Sequence, residues 1–189
     1  MSARLFVALD LPDEVRASVA AWGREAAEAD LALRPVALES LHVTLAFLGH
    51  RGLDDIEPLS SLVRGVAGPA LVLRVGEVLW LSPRRPSVLA AALEDDGGSL
   101  GRLQQAVASG AAEAVGWVPE RRRFLPHVTG ARVRRGFSPR RSGVPAPPSR
   151  SFTARTLTLY RSHLGGRGPA RYEALERVEL AVADVSSAQ

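Results

Sequence analysis

The sequence predicts an α+β fold of two similar lobes facing one another across a cleft, and three observations carry that reading. Strand-like segments return directly on one another as well as after helices, as 70–81 and 88–93 do across Ser82-Pro83-Arg84-Arg85-Pro86. Hairpin returns favour antiparallel or mixed sheets over a doubly wound parallel one. No glycine-rich phosphate loop of the Rossmann or P-loop type is present. Finally, one short pattern occurs twice: Leu41-His42-Val43-Thr44-Leu45 and, 85 residues later, Pro126-His127-Val128-Thr129-Gly130. That spacing is close to half of the 189 residues and implies two similar halves, each giving one His-x-Thr strand to a shared cleft.

Taken in order, Leu5 to Leu9 is a first buried strand. Pro12, Asp13 and Glu14 open a helix, because proline suits the first turn and carboxylates complement the helix N-terminus. That helix runs through Val15, Val19 and Trp22 to about Asp30, and 33–36 is a short extended piece. Leu41 to Gly49 has apolar residues at 41, 43, 45 and 47, the period of a strand, so these four share one face and His42 and Thr44 share the other. Phe47 thus belongs to the core, and Gly49-His50-Arg51-Gly52 reads as a loop. Asp54-Asp55 starts a second helix with Ile56, Leu59, Leu62, Val63 and Val66 on one face, ended by Gly68-Pro69. Residues 70–81 form a long strand with a kink or bulge at Gly76, and Val88 to Leu93 a buried one. A third helix covers Ser99 to Val115, and 136–151 is an exposed loop rich in proline, serine, glycine and arginine. Phe152 to Tyr160 and Tyr172 to Val182 are the last strands, joined across Gly165-Gly166-Arg167-Gly168-Pro169.

Composition sets the bounds. A hydrophobic fraction of 46% supports a sizeable core. No apolar run is long enough to span a bilayer, and the opening apolar stretch stops at Asp10 and Pro12 without a cleavage pattern, so a cytoplasmic location is the default expectation. The chain has no cysteine, which excludes disulfides, zinc-thiolate sites and a cysteine nucleophile. All 24 basic residues are arginine, asparagine is absent and Ile56 is the single isoleucine, a bias that fits a GC-rich genome. The net charge of +4 permits an anionic partner such as nucleic acid without demonstrating one.

Four histidines and five threonines occur in the chain, and two of those histidines are each followed, two residues on, by a threonine. Two imidazoles facing one cleft can divide proton transfer, since their ordinary pKa lies near the working pH. Thr44 and Thr129 can hydrogen-bond phosphate oxygens, and Arg132 can add charge-assisted bonds. The set suits in-line attack on a phosphodiester without a metal. No carboxylate lies at the two-residue spacing of a strand from either histidine, which argues against a metal site.

Those motifs resemble the 2H phosphoesterase superfamily, and within it the RNA 2′,3′-cyclic phosphodiesterases, historically called 2′-5′ RNA ligases. The likeness extends over nearly the whole chain, from Arg4-Leu5-Phe6-Val7-Ala8-Leu9 through both motifs to Leu159-Tyr160-Arg161-Ser162 and Gly168-Pro169-Ala170-Arg171-Tyr172. It implies one bilobal domain over 1–189 and metal- and cofactor-free opening of a 2′,3′-cyclic phosphate to a 2′-phosphate. By the same resemblance His42 is the general acid on the departing 3′ oxygen, His127 the general base on water, and Thr44, Thr129 and Arg132 the phosphate holders. The substrate it implies is an RNA with a 2′,3′-cyclic phosphate end or a nucleoside 2′,3′-cyclic phosphate, with no membrane and no obligate protein partner.

Two departures stand out. Gly130 replaces the bulky aliphatic residue usual in the family, which predicts weaker packing and a looser strand. Arg132 has the opposite parity to His127 in a regular strand, so it reaches the cleft only if the strand twists or bulges after Gly130. His50 and His163 are read as loop or strand-end residues without a catalytic part. Trp22, Trp80 and Trp117 are read as core. Arg121, Arg122 and Arg123, with Arg132, Arg134, Arg135, Arg140 and Arg141, are the densest positive charge; they either follow an RNA backbone or form a solvated loop in an arginine-biased chain. Two other functions share the motifs: an RNA-end-binding module with little turnover, and a phosphodiesterase for a small cyclic nucleotide.

Overall fold

The computed structural model describes residues 1–120, 122–163 and 170–181. It has two sheets. The first, in the order β3-β1-β8-β9, contains β1 (Ser2–Asp10), β3 (His42–Gly52), β8 (Thr156–His163) and β9 (Arg171–Glu179). The second, in the order β2-β6-β5-β4-β7, contains β2 (Leu33–Pro35), β4 (Leu71–Leu81), β5 (Val88–Glu94), β6 (His127–Val133) and β7 (Ser151–Ala154). Every paired strand is antiparallel, and an isolated parallel bridge joins Pro69 to Ala181. The helices are α1 (Asp13–Ala29), α2 (Ile56–Gly65) and α3 (Ser99–Val115). Among the described residues no helix is long and apolar enough to cross a membrane.

The lobes are similar but are not the two halves of the sequence. Each His-x-Thr strand lies beside an antiparallel neighbour to which it is joined through a helix: β1–α1–β3 in one sheet, β5–α3–β6 in the other. The helices are exchanged. α1 leaves β1 and packs on β2 and β6 of the second sheet, while α3 leaves β5 and packs on β3 and α2 of the first. β4 and β5, from the first half of the chain, sit in the sheet that holds His127.

Alternation explains most of the core. Leu5, Val7 and Leu9 of β1, Val43 and Leu45 of β3, Leu89 and Ala91 of β5 and Leu157 and Leu159 of β8 are buried beneath the helices. Val15, Val19 and Trp22 of α1 recur at helical spacing and are buried with them. Trp22 lies in the core, with Trp80 and Trp117 packed against it. The expected bulge at Gly76 is present: Val75 pairs with Leu93 and Val78 with Ala91, so two residues oppose one.

Four expectations need correction. Residues 49–52 are not a loop: β3 continues to Gly52, because Ser2 to Leu5 supply a partner edge for them. The strand expected over 152–160 is two strands, interrupted at Arg155, so that the chain crosses from the second sheet to the first. Phe47 is not in the core; it is 39% exposed. The last strand also stops short of the expected Val182, at Glu179, and the connection expected across Gly165 to Pro169 lies outside the described residues.

Candidate active site

The displacement of Phe47 comes from a bulge that both His-x-Thr strands share. In β3, Val7 pairs with Ala46 and Ala8 with Thr44, leaving Leu45 as an extra residue. Leu45 and Ala46 are both buried, and the alternation restarts out of phase. In β6, Leu89 pairs with Ala131 and Ala90 with Thr129, leaving Gly130 as the extra residue. Gly130 and Ala131 are both buried in the same way. Each strand therefore turns its first, third and sixth residues toward the cleft: His42, Thr44 and Phe47 from one lobe, and His127, Thr129 and Arg132 from the other. The bulge supplies the change of parity that Arg132 requires.

The expected looseness at Gly130 is absent. A Cβ there would lie 2.3 Å from the Trp22 ring, and a Cβ on Gly23 would lie 2.4 Å from the Gly130 carbonyl oxygen. The indole fills the volume that a branched side chain on β6 would have taken, and α1 approaches the strand backbone directly over two glycines. The Gly130 carbonyl also accepts the Val36 N–H at 2.9 Å, which ties the bulge to the segment after β2. Trp22 is fixed at its other end by donating its indole N–H to the Pro145 carbonyl at 2.8 Å.

His42, Thr44, His127, Thr129 and Arg132 all line one cleft of about 770 Å³ between the sheets. His127 brings its Nδ1 to 2.6 Å from the Leu125 carbonyl oxygen. A carbonyl can only accept, so Nδ1 carries the proton and Nε2 is left free for a proton-transfer partner. His42 is held differently. Its ring stacks on Phe6 at 4.8 Å between centroids, and Tyr172 meets it edge-on at 5.3 Å. Tyr160 stacks behind Phe6 at 5.2 Å. The Tyr160 hydroxyl donates to Asp10 at 2.6 Å, and buried Thr158 donates to the same carboxylate at 3.0 Å, so the stack is anchored at its far end.

That surrounding sets the charge of His42. Burial among rings is the main cause that brings its pKa down to about 4. The Ser40 carbonyl pulls the other way, while the positive charges of Arg132, His127 and Arg16 add to the lowering. The imidazole of the protein alone is thus neutral at neutral pH. Burial, then the Asp10 carboxylate, pushes the Tyr160 phenol up, so it remains a donor.

Sequence reasoning missed several residues of the cleft. Arg4 and Phe6 alternate along β1, Tyr172 belongs to β9, and Arg24 and Arg34 reach in from α1 and β2. Period-two parity along β1 was the available signal, since Arg4, Phe6 and Asp10 have one parity and Asp10 is the register partner of His42. Arg4 places its guanidinium 4.6 Å from the Phe47 ring centroid, and both line the cleft. His50 is exposed near the end of β3, and His163 ends β8 with its Nε2 2.8 Å from Glu173; neither lines the cleft. In the arginine-rich stretch, Arg134 donates to the Leu33 carbonyl and Arg141 to the Pro83 carbonyl, and the backbone N–H of Arg140 donates to Asp30. Arg121 is outside the described residues. Among the described residues, no group of three or more His, Asp or Glu side chains is arranged to hold a metal ion.

Known proteins are similar to this chain in sequence and in shape. The family model described as LigT like phosphoesterase matches residues 9–90. The RNA 2′,3′-cyclic phosphodiesterase of Escherichia coli K12 is 33% identical over 188 residues, covering 94% of this chain and 96% of its own. The protein of the same description from Thermus thermophilus is 30% identical over 194 residues, covering 94% and 90%. Among solved structures, E. coli LigT complexed with 3′-AMP superposes with a TM-score of 0.80 at 31% identity, covering 95% of this chain and 99% of that one. TT0787 of Thermus thermophilus superposes with a TM-score of 0.82 at 28% identity and the same coverage.

Proposed function

Because the chain belongs to the LigT-like phosphoesterase family, we propose that it is an RNA 2′,3′-cyclic phosphodiesterase, with the two cleft histidines as its acid and base. The observation that carries this reading is the placement of His42 and His127 on opposed strands of two sheets, both lining one cleft. In-line displacement at phosphorus needs a nucleophile and a leaving oxygen on opposite faces, and two lobes can serve one face each.

In this mechanism His127 Nε2 takes a proton from water as the water oxygen bonds to phosphorus. The P–O3′ bond breaks, and His42 gives its proton to the departing 3′ oxygen. The P–O2′ bond survives, so the products are a 2′-phosphate and a free 3′ hydroxyl. Afterwards His127 holds one proton more and His42 one fewer, and exchange with solvent restores both. Thr44, Thr129 and Arg132 hold the non-bridging oxygens.

The low pKa of His42 fits the acid role. An imidazolium confined among rings gives up its proton readily to an alkoxide, but without substrate it is seldom charged at neutral pH. The phosphodiester anion supplies the missing counter-charge, so substrate binding loads the proton that the reaction then uses. A nucleoside 2′,3′-cyclic phosphate incubated with the protein in EDTA tests the reading. Conversion to the 2′-phosphate is expected. Binding without turnover would instead mark an end-binding module, and a 3′-phosphate product would reverse the leaving group.

A further inference from the structure

We propose that the cleft contains a second anion subsite, made by Arg34 and Arg24 beside Arg132, that takes a phosphate carried on the 5′ oxygen of the terminal ribose. This rests on the phosphodiesterase reading of the same site and narrows its substrate to ends that carry a 5′ phosphate.

The argument begins with a sheet pairing that is unfavourable on its own. Arg34 of β2 is the register partner of Arg132 in β6, and both side chains line the cleft. Like charges directly opposite one another weaken an antiparallel pair, and β2 has only three residues in which to offset that cost. Arg24 of α1, the helix that packs on β2 and β6, brings a third cation to that side of the cleft, while Arg4 of β1 stands over the Phe47 ring on the other lobe. Among the described residues, none of Arg24, Arg34 and Arg132 has a carboxylate within ion-pair distance, whereas Arg51, Arg74 and Arg150 are each paired with one and Arg64 with two. No carboxylate is found among the described residues lining the cleft. Three cations on one side of the cleft without a protein counter-charge fit a ligand bearing more than one negative charge.

A cyclic phosphodiester carries a single negative charge, and Arg132 is already close enough to His42 to lower its pKa. Arg34 stands one strand further out, about 5 Å along the hydrogen-bonding direction, so its charge is left for a second group. The cleft of about 770 Å³ has room for one. With the 2′ and 3′ oxygens held at the histidines, a terminal nucleotide leaves the cleft through its base and its 5′ carbon. Of these, only the 5′ position carries an anion. That anion is the internucleotide phosphate of an RNA chain or the 5′-phosphate of a free nucleotide, and the chemistry recognised is the same.

Three substrates test this: a nucleoside 2′,3′-cyclic phosphate with a 5′ hydroxyl, the same with a 5′-phosphate, and a dinucleotide ending in the cyclic phosphate. For wild type, kcat/KM should be about tenfold or more higher on the 5′-phosphorylated forms, the scale of a charge-assisted hydrogen bond. Arg34→Gln should reduce that ratio to about two or less, and Arg24→Gln should reduce it in the same direction. A gain confined to the dinucleotide identifies the RNA backbone as the source, and a gain on both identifies any 5′ phosphate. Equal kcat/KM on all three substrates, or a ratio unchanged in Arg34→Gln, overturns the subsite. The Kd values of the matching 2′-phosphate products, which need no turnover, should show the same ratio and the same loss. Absence of hydrolysis of every substrate would therefore sink the phosphodiesterase reading while the Kd ratio still decides the subsite.

Discussion

His42 and His127 are each followed by valine and threonine but have different surroundings in space. His127 is oriented by a backbone carbonyl, while His42 is pressed between rings whose burial holds its pKa near 4. In the free protein its NMR titration should therefore fall near pH 4, and saturating inorganic phosphate should move it upward. A free-protein midpoint near 6.5, insensitive to phosphate, would contradict this account. The sign for stability follows. Between about pH 6.5 and 4 the unfolded chain binds a proton that folded His42 refuses, so stability is lost as pH falls through that window. The two histidines and threonines were legible from their repetition. The rings around His42 were not, because Phe6, Tyr160 and Tyr172 come from three strands distant in sequence, and only the sheet order brings them together.

At the scale of elements, the shared bulge decides what the cleft contains. A period-two reading placed Phe47 in the core and Arg132 on the wrong face, and each follows from an unseen extra residue two positions before it, Leu45 in β3 and Gly130 in β6. Nothing in Leu45 announces a bulge, whereas Gly130 does, since glycine within a strand marks a close approach or a register break. The helices were easier to read, as Ser99 to Val115 shows, because apolar spacing and flanking glycines bound them without reference to the rest of the fold. The contact of α1 with β6 is testable. Gly130→Ala should destabilise by about 1–3 kcal/mol through overpacking against Trp22. Gly23→Ala should cost at least as much, because its new methyl meets a backbone oxygen that cannot rotate away. Chemical denaturation of both variants measures it, and unchanged midpoints would show that α1 does not sit on the β6 backbone as described.

For the whole molecule, the exchange of α1 and α3 between sheets is the feature that couples the lobes. Each helix leaves a strand of one sheet and covers the other, so neither His-x-Thr strand is supported solely by its own half of the chain. The duplicated motif made two lobes legible. The exchange was not, because a helix's apolar face shows that it packs and not on which sheet. The central claim is that the cleft works as one unit, with a proton taken on one lobe and given on the other. The most direct test is turnover of a nucleoside 2′,3′-cyclic phosphate in EDTA by wild type, His42→Ala, His127→Ala and the double variant. Each single change should cost at least about 10²-fold, and the double variant should lose little more than the worse single one, as groups that act together do. Either single variant turning over within about tenfold of wild type, below the usual contribution of a positioned acid or base, would contradict the account.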